Sequence, residues 1–173
     1  MSSIAFTSLA KDAMSSGDAA LLDYCSLDPD PAKGGEDGPA YKELPKRTTS
    51  ELINRWREWE RTLRLGLAKN RAIKLKRDKD GDKYGDAPEY PGDASAAAKA
   101  AMSLESPMEA ELFLDKARWD AIESFQGINT FSEDAMYAYL LKLLILERRA
   151  AFVTEEGFSE YKALYTAILG EAK

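Results

Sequence analysis

The most apolar stretch of the chain, AMYAYLLKLLIL at residues 135–146, contains Lys142 as its only charged residue. Its apolar side chains recur with helical spacing and also spread around the helix, which is typical of a helix covered on most sides. A membrane-spanning helix needs about 20 apolar residues, and Glu147 ends this run abruptly. We therefore predict a helix over about 132–150 that protein covers. Its main predicted face contains Met136, Tyr139, Leu140, Leu143 and Leu146, and any exposed part is expected near Leu141 or Ile145.

The rest of the chain predicts further helices around this one. With 173 residues, of which 45% are hydrophobic and 31% charged, the composition is that of one globular domain over 1–173. No useful segment alternates polar and apolar residues with period two, so no sheet is expected. The prediction is an all-α bundle of about five to seven helices. Flexible loops rich in Pro, Gly and Asp are expected at about 28–45 and 77–93.

A long helix is predicted over about 48–77. Thr48 and Glu51 have the spacing of a capping box, and an apolar stripe follows them at Leu52, Trp56, Trp59, Leu63 and Leu67. Residues 46–79 hold 12 Lys and Arg against 4 Asp and Glu, or +8, whereas the whole chain has a net charge of −6. This imbalance indicates a basic face for an acidic partner. The candidate interaction residues are Arg55, Arg57, Glu60, Arg61, Arg64, Arg71 and Lys74, with Glu60, Arg64 and Arg71 as candidates for buried or interfacial charge pairs.

Three further helices begin at recognisable caps. Ser106 followed by Pro107 is a strong start signal, Ser132 caps the apolar helix, and Thr154 opens a last helix. The alanine-rich stretch over 94–104 is expected to bury little beyond Met102 and Leu104. The predicted inward side of the helix after Ser106 contains Met108, Leu112, Trp119, Ile122 and Phe125. The predicted core of the bundle contains Trp59, Leu63, Trp119, Leu140 and Leu143.

The composition argues against most catalytic chemistry. The chain has no histidine, which removes the commonest general base and the commonest metal ligand. Neither of the glycine-rich phosphate-binding motifs is present. We expect no enzyme activity, no cofactor and no metal site. The lone Cys25 and the absence of a visible secretory signal favour the cytoplasm.

Two binding alternatives are weaker. Arginines alternate with Trp56 and Trp59 as in single-strand nucleic-acid binders, but the acids in the same turns and the net charge of −6 argue against nucleic acid. An acidic loop has nearly the spacing of an EF-hand, although Lys83 occupies the position where the calcium loop needs glycine. This lookalike, for which a solvated loop is the favoured interpretation, consists of Asp78, Asp80, Asp82, Asp86 and Glu89.

Several short segments resemble a known family. They are Trp59-Glu60-Arg61-Thr62-Leu63-Arg64, Ser106-Pro107-Met108-Glu109-Ala110-Glu111, Leu114-Asp115-Lys116-Ala117-Arg118-Trp119 and Leu146-Glu147-Arg148-Arg149. In these segments the chain resembles the small helical proteins encoded in bacterial V-type ATPase operons, which are themselves similar to the V-type ATPase C (d) subunit. The matching segments follow in order over about two thirds of the chain, and they are helix-packing motifs rather than catalytic signatures.

The resemblance implies a non-catalytic accessory or central-stalk-type subunit, or an assembly factor, of a bacterial V-type ATPase. Its partners would be other ATPase subunits. The protein would lie in the cytoplasm, possibly at the cytoplasmic membrane face, and would be peripheral to the membrane through those partners only. The alternative from the residues themselves is a free-standing helical adaptor that binds acidic proteins through the basic face of the 48–77 helix.

Overall fold

In a computed structural model, which describes residues 1–28, 47–75 and 93–152, the chain is helical and these residues form no strand. The predicted all-α fold is confirmed. The described elements are α1 (Ser3–Ala13), α2 (Ser16–Leu21), a 3₁₀ turn (Leu22–Tyr24), α3 (Glu51–Lys74), α4 (Asp93–Ala101), α5 (Pro107–Gln126) and α6 (Glu133–Ala150). The predicted helices at about 48–77 and 132–150 are α3 and α6. None of the described helices is long and apolar enough to cross a membrane.

The helices pack around α3 and α6. Helix α3 contacts α4, α5 and α6, while α5 lies against both α4 and α6. Helix α1 packs on α6 and on α2. The predicted loops at 28–45 and 77–93 lie almost wholly outside the described residues, and the helix predicted after Thr154 lies wholly outside them.

Serine hydroxyls cap the three long helices. Those of Ser106 and Ser132 accept backbone N–H groups at the starts of α5 and α6, as predicted. The prediction that Thr48 caps α3 is wrong, because the Ser50 hydroxyl accepts the N–H of Ile53 at 3.2 Å and α3 begins at Glu51. The Thr48 hydroxyl instead donates to the Ser50 carbonyl at 3.1 Å. As the cap, Ser50 binds one of the backbone N–H groups in the first turn of α3 that would otherwise be unpaired.

Two apolar clusters form the core. The first joins α1, the 3₁₀ turn and the first half of α3 to α6, with Trp56, Tyr137 and Leu141 almost fully buried in it. The second joins the later part of α3 to α4 and the start of α5, around Leu63. Trp59 packs against both clusters. The two clusters are therefore continuous through one indole ring.

Helix α4 buries more than the sequence suggests. Four of its alanines are buried, so the expectation that this stretch hides little beyond Met102 and Leu104 is wrong. Small side chains let α3 and α4 approach closely: a Cβ atom added to Gly66 would lie 2.9 Å from the Cβ of Ala98. This contact needs a residue without a side chain on one of the two helices. The buried alanines are Ala94, Ala97, Ala98 and Ala101.

The buried face of α6 differs from the predicted one. Tyr139 and Leu146 are about half exposed, whereas Leu141 and Ile145, expected near any exposed part, are buried. The helix is apolar almost all round, so periodicity alone cannot select the face that its neighbours cover. The Tyr137 hydroxyl donates to the Asp18 carbonyl at 3.0 Å, which accounts for burial of its polar end.

Helix α5 is also rotated relative to the prediction. Ile122 is buried as expected, but Met108 and Leu112 are each 38% exposed. In their place α5 buries two charged side chains, Asp115 and Arg118. A buried charge is tolerated only when it is paired, so the rotation of α5 is explained by the partners of these two residues.

Candidate functional site

The exposed side of the first half of α3 carries a cleft of about 250 Å³, which we call the arginine cleft. It is lined by Arg47, Glu51, Asn54, Arg55, Arg57, Glu58 and Arg61. The four arginines and two glutamates leave an excess of two positive charges. Arg55, Arg57 and Arg61 are three of the residues that the sequence singled out for interaction, and the helix brings them together.

Two contacts hold the rim of the arginine cleft in place. Arg47 pairs with Glu51 at 3.1 Å, and the guanidinium of Arg55 lies 4.4 Å from the centre of the Phe125 ring. Arg57 is buried, with 7% of its surface exposed. A guanidinium stacked on an aromatic ring keeps its charge while losing conformational freedom. The cations that the cleft presents to an incoming anion are therefore the exposed and partly ordered Arg47 and Arg55.

The other predicted interaction residues lie elsewhere. Arg71 and Lys74 are exposed in the last turn of α3, about 24 and 29 Å along the helix axis from Arg55 at 1.5 Å per residue. Arg64 pairs with Glu60 at 3.0 Å and with Asp28 at 3.2 Å. The predicted basic face is thus divided into the arginine cleft, a paired arginine in the middle and a separate basic end.

Glu60 is the centre of a buried charge cluster. Its side chain is fully buried, and Arg118 of α5 donates to its two oxygens at 2.9 and 3.0 Å. Arg64 adds a third contact to the same carboxylate. This bidentate pairing is the geometry in which arginine and carboxylate interact most strongly. The prediction of charge pairing at Glu60 and Arg64 matches these contacts, while Arg71 has no part in this cluster.

The charge cluster continues toward α6. Arg118 also pairs with Asp115 at 3.4 Å, and Asp115 accepts a short hydrogen bond from Arg148. Arg148 reaches Glu111 as well, at 3.2 Å. Among the described residues, Oδ2 of Asp115 and Nε of Arg148 make no hydrogen bond. We call Glu60, Asp115, Arg118 and Arg148 the charged seam, and its Glu60 end is the better satisfied.

Electrostatics in the charged seam favour the ionised state of Arg118. Burial disfavours the charged form of Arg118, but the hydrogen bonds and charge of Glu60, with the charges of Asp115 and Glu111, outweigh it. The pKa of the Arg118 guanidinium is therefore raised. A carboxylate whose oxygens are bound by arginines in this way has a structural role.

The charged seam lies between the two apolar clusters. Along α3, Glu60 falls between Trp56 of the first cluster and Leu63 of the second. Along α5, Asp115 and Arg118 fall between Leu114 of the second cluster and Ile122 of the first. Sequence patterning missed Asp115 and Arg118, although their place between two buried apolar residues of α5 is a usable signal.

A smaller polar group joins α5 to α6. Lys142, the single charge in the apolar stretch, pairs with Glu123 at 3.2 Å and lies 5.1 Å from the centre of the Trp119 ring. The indole N–H of Trp119 donates to the same carboxylate at 2.9 Å. These bonds, from Lys142 first and Trp119 second, lower the pKa of Glu123. Trp119 is thus half buried against a surface ion pair.

The predicted core residues divide into two groups. Leu63 and Leu140 are buried, with 0% and 3% of their surface exposed. Trp59, Trp119 and Leu143 are of intermediate exposure. Trp59 and Leu143 nevertheless pack against the first apolar cluster.

The described residues contain no cluster of side chains that could hold a metal ion. Asp78, Asp80, Asp82, Asp86 and Glu89 all lie outside them. Within 1–28, 47–75 and 93–152, no three potential ligands come together.

Comparison with known proteins identifies no relative of this chain. No protein-family model, curated protein or solved structure matches the chain.

Proposed function

We propose that this chain is a protein-binding helical module and that the arginine cleft is its docking face. The observation that carries the proposal is the cleft beside the start of α3, where exposed Arg47 contacts Glu51 and exposed Arg55 stacks on Phe125. Arginine is enriched at the centres of protein interfaces, where it binds carboxylates through several donors at once. The partner therefore carries an acidic surface.

A binding role also fits the way the buried charges are used. Glu60 and Asp115 are engaged by arginines of neighbouring helices. Such pairs fix helices against one another. In this proposal, the module presents the arginine cleft to its partner as a rigid binding surface.

The candidate complex is a bacterial V-type ATPase, in which the chain would be an accessory or central-stalk-type subunit or an assembly factor at the cytoplasmic membrane face. What supports this second proposal is where the resembling segments lie. The segment with Glu60 and Arg64, the segment with Asp115 and Arg118, and the segment with Arg148 meet in one charge cluster. Residues that resemble a family and also contact one another are more informative than scattered matches.

Co-purification tests both proposals. A tagged chain expressed in its own cells should retain an acidic partner at low salt and release it at high salt, because charge pairs at a surface are screened. Reversing Arg47 and Arg55 to Glu should abolish recovery. Lys99→Glu is the matched control, since Lys99 is an exposed cation in the last turn of α4.

The outcomes separate the two proposals. Recovery of V-type ATPase subunits that depends on Arg47 and Arg55 supports both. Recovery of a different acidic partner with the same dependence supports the docking face and overturns the ATPase assignment. Recovery that Lys99→Glu weakens as much as the double reversal overturns the arginine cleft as the docking face.

A further inference from the structure

The loop between α5 and α6, residues 127–132, exposes two large apolar side chains completely. Ile128 is 100% exposed and Phe131 is 99% exposed. The loop is nevertheless built by specific bonds: the Phe131 N–H donates to the Asn129 side chain at 3.1 Å, and the Ser132 hydroxyl donates to the Asn129 carbonyl at 2.9 Å. Gly127, with φ of 71°, opens the turn. Apolar side chains held out by an organised turn mark a contact surface.

This loop is continuous with the arginine cleft. Phe125, just before the loop, carries the guanidinium of Arg55 on its ring. Asp134, just after the loop, accepts the Ser50 hydroxyl at 2.6 Å. Both ends of the loop are therefore tied to residues 50–55, the cap and first residues of α3, next to the residues that line the arginine cleft.

On its other side the loop borders an apolar groove. The groove has a volume of about 420 Å³ and includes Thr130 of the loop, Phe6 of α1, and Met136 and Tyr139 of α6. Lys142, which is paired with Glu123, also lines it. The loop thus contributes Thr130 to the groove and is tied at both ends to the segment that lines the arginine cleft.

We propose that this end of the bundle binds an amphipathic helix that carries an apolar stripe with acidic residues along one flank. The proposal rests on the arginine cleft being the docking face and adds the chemistry of its partner. Ile128 and Phe131 pack on the apolar stripe, the groove accepts a side chain from it, and the acidic flank faces Arg47 and Arg55. Aromatic and arginine side chains together are typical of interface hot spots, and helices are commonly bound by apolar anchors at helical spacing.

The test uses the full chain and three synthetic helices of equal length. The first has a leucine stripe and glutamates along one flank, the second has lysines in place of the glutamates, and the third has glutamines in place of the leucines. Fluorescence anisotropy should show binding of the first only. Phe131→Ser and Ile128→Ser should each weaken it by about tenfold or more, as expected for an interface hot spot.

Leu9→Ser is the matched control. Leu9 is an apolar side chain of α1 with 61% exposure, and it is not among the residues that line the groove. Its replacement should leave binding unchanged. Because all three substituted side chains are exposed, each variant should retain the helical circular dichroism and melting temperature of the parent chain.

The contrary outcomes are distinguishable. Equal binding of the leucine and glutamine peptides, or unchanged binding in Phe131→Ser, overturns this proposal and leaves the arginine cleft as the docking face. Acidic peptides that bind no more tightly than the lysine peptide overturn both proposals. Two further results assign the loop to another surface: a dimer in sedimentation that Phe131→Ser disperses, or flotation with anionic lipid vesicles that needs Phe131.

Discussion

Replacing Glu60 with Leu should destabilise the fold by about 3–5 kcal/mol, because it removes the main partner of a buried arginine. Arg118 is 5% exposed and makes both of its shortest contacts to the Glu60 carboxylate, at 2.9 and 3.0 Å. Asp115, at 3.4 Å, is the partner that remains. Since Asp115 is also engaged by Arg148, it compensates the loss only in part.

The double variant Glu60→Leu with Arg118→Met should behave differently. It removes both charges of the closest pair together and leaves Asp115 paired with Arg148, so the free energy of unfolding should return to within about 1 kcal/mol of the parent or exceed it. The double-mutant cycle should therefore show an interaction energy of about 3 kcal/mol or more between the two positions. Urea unfolding followed by tryptophan fluorescence and by circular dichroism measures each free energy.

An exposed ion pair provides the control for this cycle. Lys116 and Asp120 are 2.7 Å apart with side chains 74% and 57% exposed. Lys116→Met should change the free energy of unfolding by less than about 1 kcal/mol. A cost below 1 kcal/mol for Glu60→Leu, or a double variant whose cost equals the sum of the two single costs, would refute the reasoning.

Four further predictions concern single positions. Leu141→Ala should cost about 2–5 kcal/mol and Leu146→Ala under about 1 kcal/mol in urea unfolding, because the first is fully buried and the second half exposed; equal costs would contradict the observed face of α6. Gly66→Ala should destabilise by about 1–3 kcal/mol, since its Cβ meets α4, and a neutral melting temperature would show that the helices move apart freely. Cys25 is buried, which with nearby carboxylates raises the pKa of its thiol, so it should react with a thiol reagent only after denaturant is added. Hydrogen bonds from the Ser3 hydroxyl and N–H lower the pKa of Glu147 from its ordinary value of 4.5. The stability that this contact adds should be complete above pH 4.5 and lost as the pH falls below it. The difference in stability between Glu147→Gln and the parent chain should therefore disappear in acid.

Local chemistry in the sequence predicts most of the helical framework. The serine caps of α5 and α6 follow from short patterns whose physics is confined to one helical turn. The start of α3 is misplaced by two residues, because Thr48 and Ser50 are both good capping residues. Thr48 is used elsewhere: the Asn54 side chain accepts its N–H at 2.7 Å. That choice depends on residues six positions apart and is not visible in a capping pattern.

Helix rotation is where sequence reasoning fails. A rule that places charges outward turns Asp115 and Arg118 of α5 toward solvent, whereas Arg118 is buried against Glu60 of α3 and itself pairs with Asp115. The partners are 58 residues apart in the chain for Glu60 and Arg118. Glu60 itself could be suspected from the sequence, because it interrupts a stripe that contains Trp56 and Leu63. Its partner could not, since many arginines compete for the role.

The loop that exposes Ile128 and Phe131 is a third difference between the prediction from sequence and the structure. In the sequence these residues are ordinary apolar positions in a short connection, and nothing local distinguishes an exposed side chain from one folded back on the bundle. In the structure both side chains are exposed, and Asn129 forms hydrogen bonds with Phe131 and Ser132. The arginine cleft is closer to the prediction, because Arg55, Arg57 and Arg61 lie within about two turns of one helix.

The charged seam also has a consequence for how α3 and α5 find their register. Successive turns of an apolar helix surface resemble one another. Two such helices can therefore shift by one turn, about 5.4 Å, and still bury a similar apolar area. The pair of Glu60 and Arg118 forms in one alignment only, and a one-turn slip would strand both charges inside the protein. We infer that the seam selects a single alignment rather than adding stability. An uncharged double variant should then remain as stable as the parent chain while its amide NMR signals broaden, as alternative alignments exchange.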